Sequence, residues 1–306
     1  MLEKIIQLLC RWGFSRARAW IMLSTGVFLI LNTTIAKAIE VQSELFDAST
    51  KIYWVEVPAY WGKTPLELYP ALVGKTLMPL SRWAAQQSAQ PVVAAINGGY
   101  FDPQNQKTTS WLSYRGQLLA NPTENEHLTT NLTLKPYLNK IFEHRSSLMW
   151  AHCDGGVSVN IIPHIEGDNL GAQLGVRRCG DVSELGGGPQ LLPTLTLEQE
   201  GFVGKNRDPL RANQKLARSA VAILADEKIW LVLVQQTQLT GGMRLSQLAQ
   251  WLKDHGATQA MALDGGSSSA LWTPQTGTII GALDKNGNRP HRAILSVLAV
   301  RVTRDY

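Results

Sequence analysis

The chain has 306 residues, 44% of them hydrophobic and 17% charged; this composition supports a large buried core and excludes a disordered chain, a collagen-like repeat and a disulfide-dense miniprotein. Most of the formal net charge of +5 comes from the N-terminus, because residues 1–38 hold five basic residues and one acid and leave 24 basic and 23 acidic residues behind them. A nearly neutral body offers no electrostatic footprint for a polyphosphate, so we expect no nucleic-acid partner.

The first predicted element is a secretory signal peptide over residues 1–38. Arg11, Arg16 and Arg18 precede an apolar run over 19–31, and the small-residue site Ala36-Lys37-Ala38 follows. A basic region, a short apolar core and an A-x-A site in this order are typical of a signal peptide. The run is short for a membrane span, which needs about 20 residues, and an uncleaved N-terminal anchor is the alternative. Either way we expect an exported protein, periplasmic or extracellular, that meets the membrane only through an uncleaved leader.

Export also sets the redox state of the cysteines. Cys10 would leave with the leader, so Cys153 and Cys179 remain. Two cysteines in an oxidising compartment, with no C-x-x-C pair, favour a single disulfide between them. Two buried free thiols are the alternative.

Residues 39–306 contain no internal repeat or low-complexity linker and are predicted to form one domain. Apolar runs predict strands over 51–57, 92–96, 219–224, 229–234, 259–263 and 293–302. Helical spacing predicts helices over 80–90 and 245–252, the second one ended by Gly256, and residues 121–181 are expected to be an irregular excursion. Because strands and helices mix without a strict βαβ order, we expect an α+β fold: a mixed β-sheet packed with helices.

Three glycine clusters mark the ends of predicted strands. Asn97-Gly98-Gly99 and Asp264-Gly265-Gly266 each follow an apolar strand, and Gly186-Gly187-Gly188-Pro189 precedes another. Glycine permits positive φ and lets main-chain N–H groups approach a ligand closely. Each polar residue alternatively caps its own turn, but three such loops in one domain favour a shared site containing Asn97 and Asp264.

The residues after Asp264 offer hydroxyl groups. Ser267-Ser268-Ser269 would suit a polyol or a phosphate, or supply a nucleophile. The G-x-S-x-G elbow is absent, so a serine hydrolase is only a third interpretation.

Arginines begin two late segments of the chain. Arg218 opens an apolar strand, and Arg289 and Arg292 flank Pro290-His291 before the last one. A guanidinium is the natural fork for a phosphate or carboxylate, although surface charge explains such positions equally well. His164, Glu166 and Asp168 alternate as metal ligands would, but a solvated loop is the favoured interpretation.

The motifs together resemble the phosphodiester glycosidase family over roughly residues 92–302. That family includes the lysosomal uncovering enzyme, which removes N-acetylglucosamine from a sugar phosphodiester, and bacterial envelope proteins described as exopolysaccharide-related. The stretches that carry the resemblance run from Ala95 to Phe101, Gly186 to Leu191, Arg218 to Ile223, Gly242 to Leu245 and Ala262 to Ser269, with Arg289-Pro290 near the end.

The resemblance implies an exported hydrolase that cleaves the glycosidic bond of a sugar-1-phosphodiester in a phosphorylated envelope or extracellular polysaccharide. It places Asp264 as nucleophile or base, Arg218 as the phosphate clamp and Asn97 on a sugar hydroxyl or phosphate oxygen. The remaining substrate-binding candidates are Gly98, Gly99, Asp102, Gly187, Gly188, Gly265, Gly266, Ser267, Ser268 and Arg289. Main-chain N–H groups of Gly98, Gly187 and Gly265 would complete an anion nest. No cofactor is required, although Asp264 and nearby hydroxyls would accept a divalent metal.

Two departures from the family pattern bear on function. Gln235-Gln236-Thr237 stands where relatives often have Asp-Gly-Arg, which removes a carboxylate and a guanidinium. That change favours the alternative of a non-catalytic module that binds glycan or phosphoglycan. Arg244 replaces a small hydroxyl residue before the helix, so a helix cap is expected to be lost.

Overall fold

Antiparallel β-sheets form most of the computed structural model, which describes residues 39–58, 66–87, 91–153, 156–164 and 179–302. The predicted signal peptide and the candidate ligands Glu166 and Asp168 lie outside the described residues. Residues 41–306 belong to one compact unit. Within the described ranges, no helix is both long and apolar enough to cross a bilayer.

The first sheet has six strands and carries most of the predicted β-structure. In spatial order its strands are β1 (Val41–Asp47), β2 (Thr50–Val57), β13 (Ile229–Gln236), β12 (Arg218–Leu224), β14 (Ala257–Ala262) and β11 (Gln190–Leu192). Side chains alternate between the two faces of a strand. In β12, Ala220 and Ala222 therefore face one cluster of the core, while Ser219 and Val221 point to the opposite face.

Two further sheets have five strands each. One is ordered β7 (Gln117–Ala120), β6 (Leu112–Tyr114), β10 (Ser183–Gly186), β8 (Ser146–Cys153) and β9 (Gly156–Pro163). The other is ordered β16 (Gly277–Ile280), β15 (Ala270–Thr273), β5 (Val92–Asn97), β18 (Ser296–Val302) and β3 (Leu66–Leu72). A short ribbon pairs β4 (Met78–Pro79) with β17 (Ala293–Ile294).

The described residues form four α-helices, all of them short or peripheral. They are α1 (Leu80–Ala85), α2 (Glu126–Thr129), α3 (Leu138–Glu143) and α4 (Leu245–Asp254). Helix α4 covers the first sheet with its apolar stripe. It ends where Gly256 adopts a φ of +86°, as predicted. The expected loss of its N-terminal cap is only partial, because the Gln247 side chain accepts a hydrogen bond from the Arg244 N–H at 3.1 Å.

The structure corrects the expected fold class in two respects. Every strand pair among the described residues is antiparallel, so the sheets are not mixed. The helices are few, so "packed with helices" overstates them. The physical reason is that tight hairpins join many neighbouring strands, including β1 to β2, β12 to β13 and β15 to β16, and a hairpin permits only antiparallel pairing.

Segment boundaries also differ from the sequence prediction. The predicted helix 80–90 ends at Ala85. The stretch 121–181 is not an irregular excursion, since it supplies β8 and β9 to a sheet. Strand β8 is buried along most of its length and pairs with β9 on one side and β10 on the other. Cys153 and Cys179, singled out from the sequence, are joined in a disulfide across an isolated β-bridge.

Candidate active site

The three glycine loops meet at one place in the fold. The Asp264 N–H donates to the Gly98 carbonyl at 3.1 Å, and the Gly188 N–H donates to the Ala262 carbonyl at 2.9 Å. Such close backbone contact requires glycine: a Cβ on Gly187 would lie 2.7 Å from the Ala262 oxygen, and one on Gly99 would lie 2.3 Å from the Gly186 oxygen. The loops predicted separately from the sequence therefore form a single corner around Asp264.

Asn97 holds this corner together. Its Nδ2 donates to the Asp264 carbonyl at 2.6 Å. Its Oδ1 accepts hydrogen bonds from the Ser219 hydroxyl at 2.7 Å and from the Ala270 N–H at 3.1 Å. The side chain is buried, so it joins the end of β5 to β12, to β15 and to the Asp264 turn. Its contacts are with the protein itself, which makes it a positioning residue.

The Asp264 side chain is the candidate reactive group. It is half-buried, and desolvation raises its pKa to about 6. The Ser268 hydroxyl, the Gly265 N–H and the positive charge of Arg292 each oppose that rise. At neutral pH the carboxyl is therefore mostly ionised and more basic than an ordinary aspartate, as suits a general base or nucleophile.

Arg218 binds main-chain oxygens where the sequence assigned it to phosphate. Its Nε donates to the Met243 carbonyl at 3.0 Å and its Nη1 to the Leu210 carbonyl at 2.9 Å. Its Nη2 donates to the carbonyls of Arg211 and Gln214 at 2.9 and 3.0 Å. The guanidinium is buried, and that desolvation lowers its pKa. Four of its five N–H groups are engaged, so the side chain fixes the loop beside the Asp264 turn.

Arg289, the second choice for phosphate, makes similar contacts. Its Nη1 donates to the Ile280 carbonyl at 2.9 Å and its Nη2 to the Gln236 carbonyl at 2.5 Å. Gln235 and Gln236, the departure from the family pattern, also donate to main-chain oxygens, of Ile280 and Gly241, at 2.9 and 3.0 Å. These side chains tie the end of β13 to the loops that surround it.

The expected anion nest is incomplete. The Gly98 N–H donates to the Ser296 carbonyl at 2.8 Å, and the Gly187 N–H donates to the Ser146 carbonyl at 2.9 Å. Both groups are therefore already bonded, because the same close approach that requires glycine brings main-chain acceptors within reach. The Gly265 N–H bonds to the Asp264 carboxyl.

Asp102 lies in the loop that follows the first motif and pairs with a histidine. Its Oδ2 is 2.8 Å from Nδ1 of His127, and its Oδ1 accepts the Gln104 N–H at 2.8 Å. These contacts shape the 102–107 turn. The structure thus gives Asp102 a partner that the sequence did not single out.

A buried polar layer supports the 186–189 loop. The Tyr100 hydroxyl donates to the Gly188 carbonyl at 2.7 Å, and burial raises the pKa of this tyrosine. Glu200 accepts from the Ser146 and Gln190 N–H groups at 2.9 and 2.7 Å. Sequence analysis missed this layer because Glu200 lies in a polar stretch that resembles any surface loop.

Arg292 is the cation that acts on Asp264. The sequence named it only as a flanking arginine. It is exposed, and it makes no hydrogen bond or ion pair with any residue in the described ranges. The sequence also offered a metal site as an alternative. The described residues contain no group of three His, Cys, Asp or Glu side chains placed to hold a metal ion. His164 instead contacts Glu184 at 2.8 Å.

The comparisons with known proteins agree with this architecture. The phosphodiester glycosidase family model matches residues 90–301, which is most of the chain, so the chain belongs to that family. Family membership supports a glycosidase-type hydrolase.

Three solved structures share the fold. The catalytic domain of zebrafish N-acetylglucosamine-1-phosphodiester alpha-N-acetylglucosaminidase, auto-inhibited by its pro-peptide, is 18% identical with a TM-score of 0.62, and the match covers 86% of this chain and 83% of that one. A putative exported protein from Burkholderia pseudomallei is 14% identical with a TM-score of 0.54, covering 82% and 74%. A hypothetical protein from Synechocystis is 16% identical with a TM-score of 0.52, covering 86% and 62%. A search of curated proteins finds no significant match.

Proposed function

We propose that this chain is an exported hydrolase that cleaves the glycosidic bond of a sugar-1-phosphodiester in an envelope or extracellular polysaccharide. The observation that carries the proposal is Asp264, a carboxyl of raised pKa where three glycine loops converge. Family membership supports the reaction class. The leader-like residues 1–38 support export.

The chemistry suits one carboxylate. Cleavage breaks the bond between the anomeric carbon and the phosphodiester oxygen, and the electron pair leaves with a phosphate monoester. This leaving group is a weak base, so it needs less general-acid assistance than an alkoxide. Asp264 either attacks the anomeric carbon, forming a glycosyl ester that water then hydrolyses, or removes a proton from the attacking water. Both routes release a free sugar.

The neighbouring residues would position Asp264 and take no part in the reaction themselves. Asn97 fixes the main chain of the turn from one side, and Arg218 fixes the loop on the other side. Preorganisation of this kind keeps a catalytic group within a narrow range of positions. The buried carboxamides of Gln235 and Gln236 would serve the same purpose.

A non-catalytic module that binds phosphoglycan is the second candidate. The observation that favours it is that Gln235, which stands where family members often carry an acid, donates to the Ile280 carbonyl, while Thr237 stands where they often carry an arginine. The two candidates differ in whether bound sugar is released.

Turnover on a defined panel separates the two. The purified full chain is incubated with alkyl phosphodiesters of sugar 1-phosphates. The first is the diester of N-acetylglucosamine 1-phosphate, because the zebrafish enzyme of similar fold is named for that substrate. We expect release of free reducing sugar. Its initial anomer, identified by NMR, shows whether Asp264 acts as a nucleophile, which retains the anomeric configuration, or as a base, which inverts it. Asp264→Asn is expected to lower the rate about 10²- to 10⁴-fold, whereas Asp284→Asn, at an exposed turn, is expected to retain it. Binding of the panel without turnover would support the module instead.

A further inference from the structure

Tyr100 joins two of the glycine loops that meet at the Asp264 turn. It lies two residues after Gly98, whose carbonyl accepts the Asp264 N–H at 3.1 Å. Its hydroxyl donates to the Gly188 carbonyl at 2.7 Å, and the Gly188 N–H donates in turn to the Ala262 carbonyl at 2.9 Å. Since Ala262 precedes Asp264 by two residues, these three hydrogen bonds and two short stretches of chain form a closed cycle around the turn.

The fold fixes the tyrosine at both ends. The Tyr100 N–H donates to the Ser110 hydroxyl at 3.0 Å, and the Tyr100 carbonyl accepts the Thr109 N–H at 2.9 Å. At the other end, the phenol ring contacts the ring of Phe202, with 5.5 Å between the centroids, and Phe202 is buried. The position of the hydroxyl is therefore set by the packing around it.

The Gly188 side of the bond is fixed as well. The Gln190 N–H donates to the Glu200 carboxylate at 2.7 Å, and the Ala262 N–H donates to the Pro189 carbonyl at 3.0 Å. A Cβ on Gly188 would lie 2.1 Å from a Glu200 oxygen, so the loop packs directly on that carboxylate. Because both partners are held by other contacts, the hydroxyl bond sets the distance between the 186–189 loop and the Asp264 turn.

Electrostatic interactions agree with this placement. Burial raises the pKa of Tyr100, and the negative charge of Asp264 raises it further. The other charged groups that act on the pair are Arg145, Arg218 and Glu200 on Tyr100, and Arg292 on Asp264. Since the interaction of two charges weakens with distance, the effect of Asp264 on Tyr100 is consistent with the short path that the hydrogen bonds define.

We infer that Tyr100 is a positioning residue of the proposed hydrolase. Its hydroxyl holds the 186–189 loop in place against the Asp264 turn, and its ring keeps water away from the Asp264 carboxyl. A carboxyl that is fixed and partly dehydrated is better oriented and more basic than one in water. The inference rests on the proposed function, because it concerns control of the carboxyl that reacts in that function.

Tyr100→Phe tests the hydroxyl, because it removes the bond to Gly188 and keeps the ring. We expect kcat for sugar release to fall about 10- to 100-fold with little change in KM, because Asp264 is less well placed while the substrate contacts remain. The acid limb of the kcat/KM profile is expected to stay near pH 6, since the ring still excludes water. An unchanged kcat would show that the bond to Gly188 does not position Asp264.

Tyr100→Ala tests the ring, because it admits water beside Asp264. The pKa of Asp264 is expected to fall from about 6 toward the ordinary value of about 4. NMR titration of protein labelled with ¹³C at the aspartate carboxyls measures this pKa without substrate, and Asp264→Asn identifies the signal. If Tyr100→Ala does not fold, Tyr100→Leu is titrated in its place, with a smaller fall expected. A pKa that stays near 6 in the folded variant would overturn the shielding.

Tyr114 provides the matched controls. Its hydroxyl donates to Glu67 and accepts a hydrogen bond from Arg301 Nη2 at 2.8 Å. Arg301 lies five residues along β18 from Ser296, which bonds to Gly98, and at about 3.3 Å per residue that is about 16 Å. Tyr114→Phe and Tyr114→Ala are expected to lower stability and to leave kcat and the pKa of Asp264 unchanged. Equal changes in the Tyr114 and Tyr100 variants would assign the effect to general destabilisation.

Failure of this inference and failure of the proposed function give different results. If the wild type hydrolyses no diester, a lowered pKa of Asp264 in Tyr100→Ala, absent from Tyr114→Ala, still supports the shielding by the ring. If the wild type is active, Tyr100→Phe keeps its kcat and Tyr100→Ala keeps the pKa of Asp264, then the function stands and the role of Tyr100 is wrong.

Discussion

Two polar regions flank the Asp264 turn, and they differ in how much of their hydrogen-bonding capacity the protein itself uses. Around Arg218, four N–H groups meet four main-chain carbonyls, and the side chain is buried. Around Arg292, the guanidinium is exposed and two buried hydroxyls lack partners. The same residue type thus stabilises a loop in one region and is exposed to solvent in the other.

The difference shows why residue type alone misassigns roles. A buried guanidinium must find acceptors, because an unpaired buried charge is very unfavourable. Arg218 begins a strand inside the fold, so carbonyls of the adjoining loops became its partners. Arg292 lies at an exposed edge, where water can solvate its charge.

The difference between the Arg218 and Arg292 regions is tested most strongly by removing each guanidinium in turn. Arg218→Gln is expected to lower the free energy of unfolding by about 3–5 kcal/mol, since several buried carbonyls lose their donors. Arg292→Gln is expected to change it by less than about 0.5 kcal/mol. Urea denaturation followed by fluorescence measures both. Equal losses in the two variants would show that the distinction between the regions is wrong.

The ionised Asp264 carboxylate is expected to destabilise the folded protein at neutral pH, where the proposed reaction requires it to be ionised. Because the fold raises its pKa to about 6, the folded state holds the proton more tightly than the unfolded chain does, so stability falls as pH rises from about 4 to 6. Asp264→Asn is therefore expected to stabilise the protein at pH 7 by up to about 3 kcal/mol, and by much less at pH 4. Unfolding curves at both values measure this.

Asp284 is the matched control for that experiment, because the fold lowers its pKa whereas it raises the pKa of Asp264. The N–H groups of Asn286 and Asn288 lower the pKa of Asp284, so its contribution is present above the ordinary pKa and is lost as pH falls. Asp284→Asn is expected to destabilise the protein more at pH 7 than at pH 4. A gain from Asp264→Asn that did not depend on pH would contradict the assigned cause.

The rate of sugar release should follow ionisation of the same carboxyl. The protonated form of Asp264 cannot accept a proton or attack, so kcat/KM is expected to fall about tenfold per pH unit below pH 6, and about 100-fold at pH 4 relative to the plateau well above pH 6. In Arg292→Gln the acid limb is expected to move to higher pH, because the charge that lowers the pKa of Asp264 is gone. An unchanged profile would place Arg292 outside the influence of the reacting group.

The smallest expected effects are on the stability of variants at two buried serines, Ser219 and Ser269. Ser219 donates to Asn97 at 2.7 Å, whereas the Ser269 hydroxyl has no partner among the described residues. Ser219→Ala is expected to cost about 1 kcal/mol, and Ser269→Ala is expected to be neutral or stabilising by about 1 kcal/mol in phosphate-free buffer. Thermal unfolding resolves the difference in sign.

The sequence predicted the strands that carry the site with useful accuracy. The runs 92–96, 219–224 and 229–234 became β5, β12 and β13, because long apolar runs next to glycine or turn residues have few other solutions. Strands β1 and β3 and the sheet built on β8 were missed. Strand β1 is polar and largely exposed. Strands β3 and β8 are mostly buried, but β3 contains Pro70 and β8 begins with Ser146-Ser147, so pairing with distant strands decided their structure.

The sequence by itself determined which loops contain glycine, where a carboxyl follows a strand, and to which family the motifs are similar, since these are properties of local order along the chain. Only the tertiary structure decided which polar groups remain available. Asn97, Arg218 and Arg289 bond to partners from other segments, whereas Arg292 and the Ser269 hydroxyl form no such bond within the described part of the chain. Hydrogen-bond satisfaction depends on what lies within about 3 Å in space, and spacing along the sequence does not determine that distance.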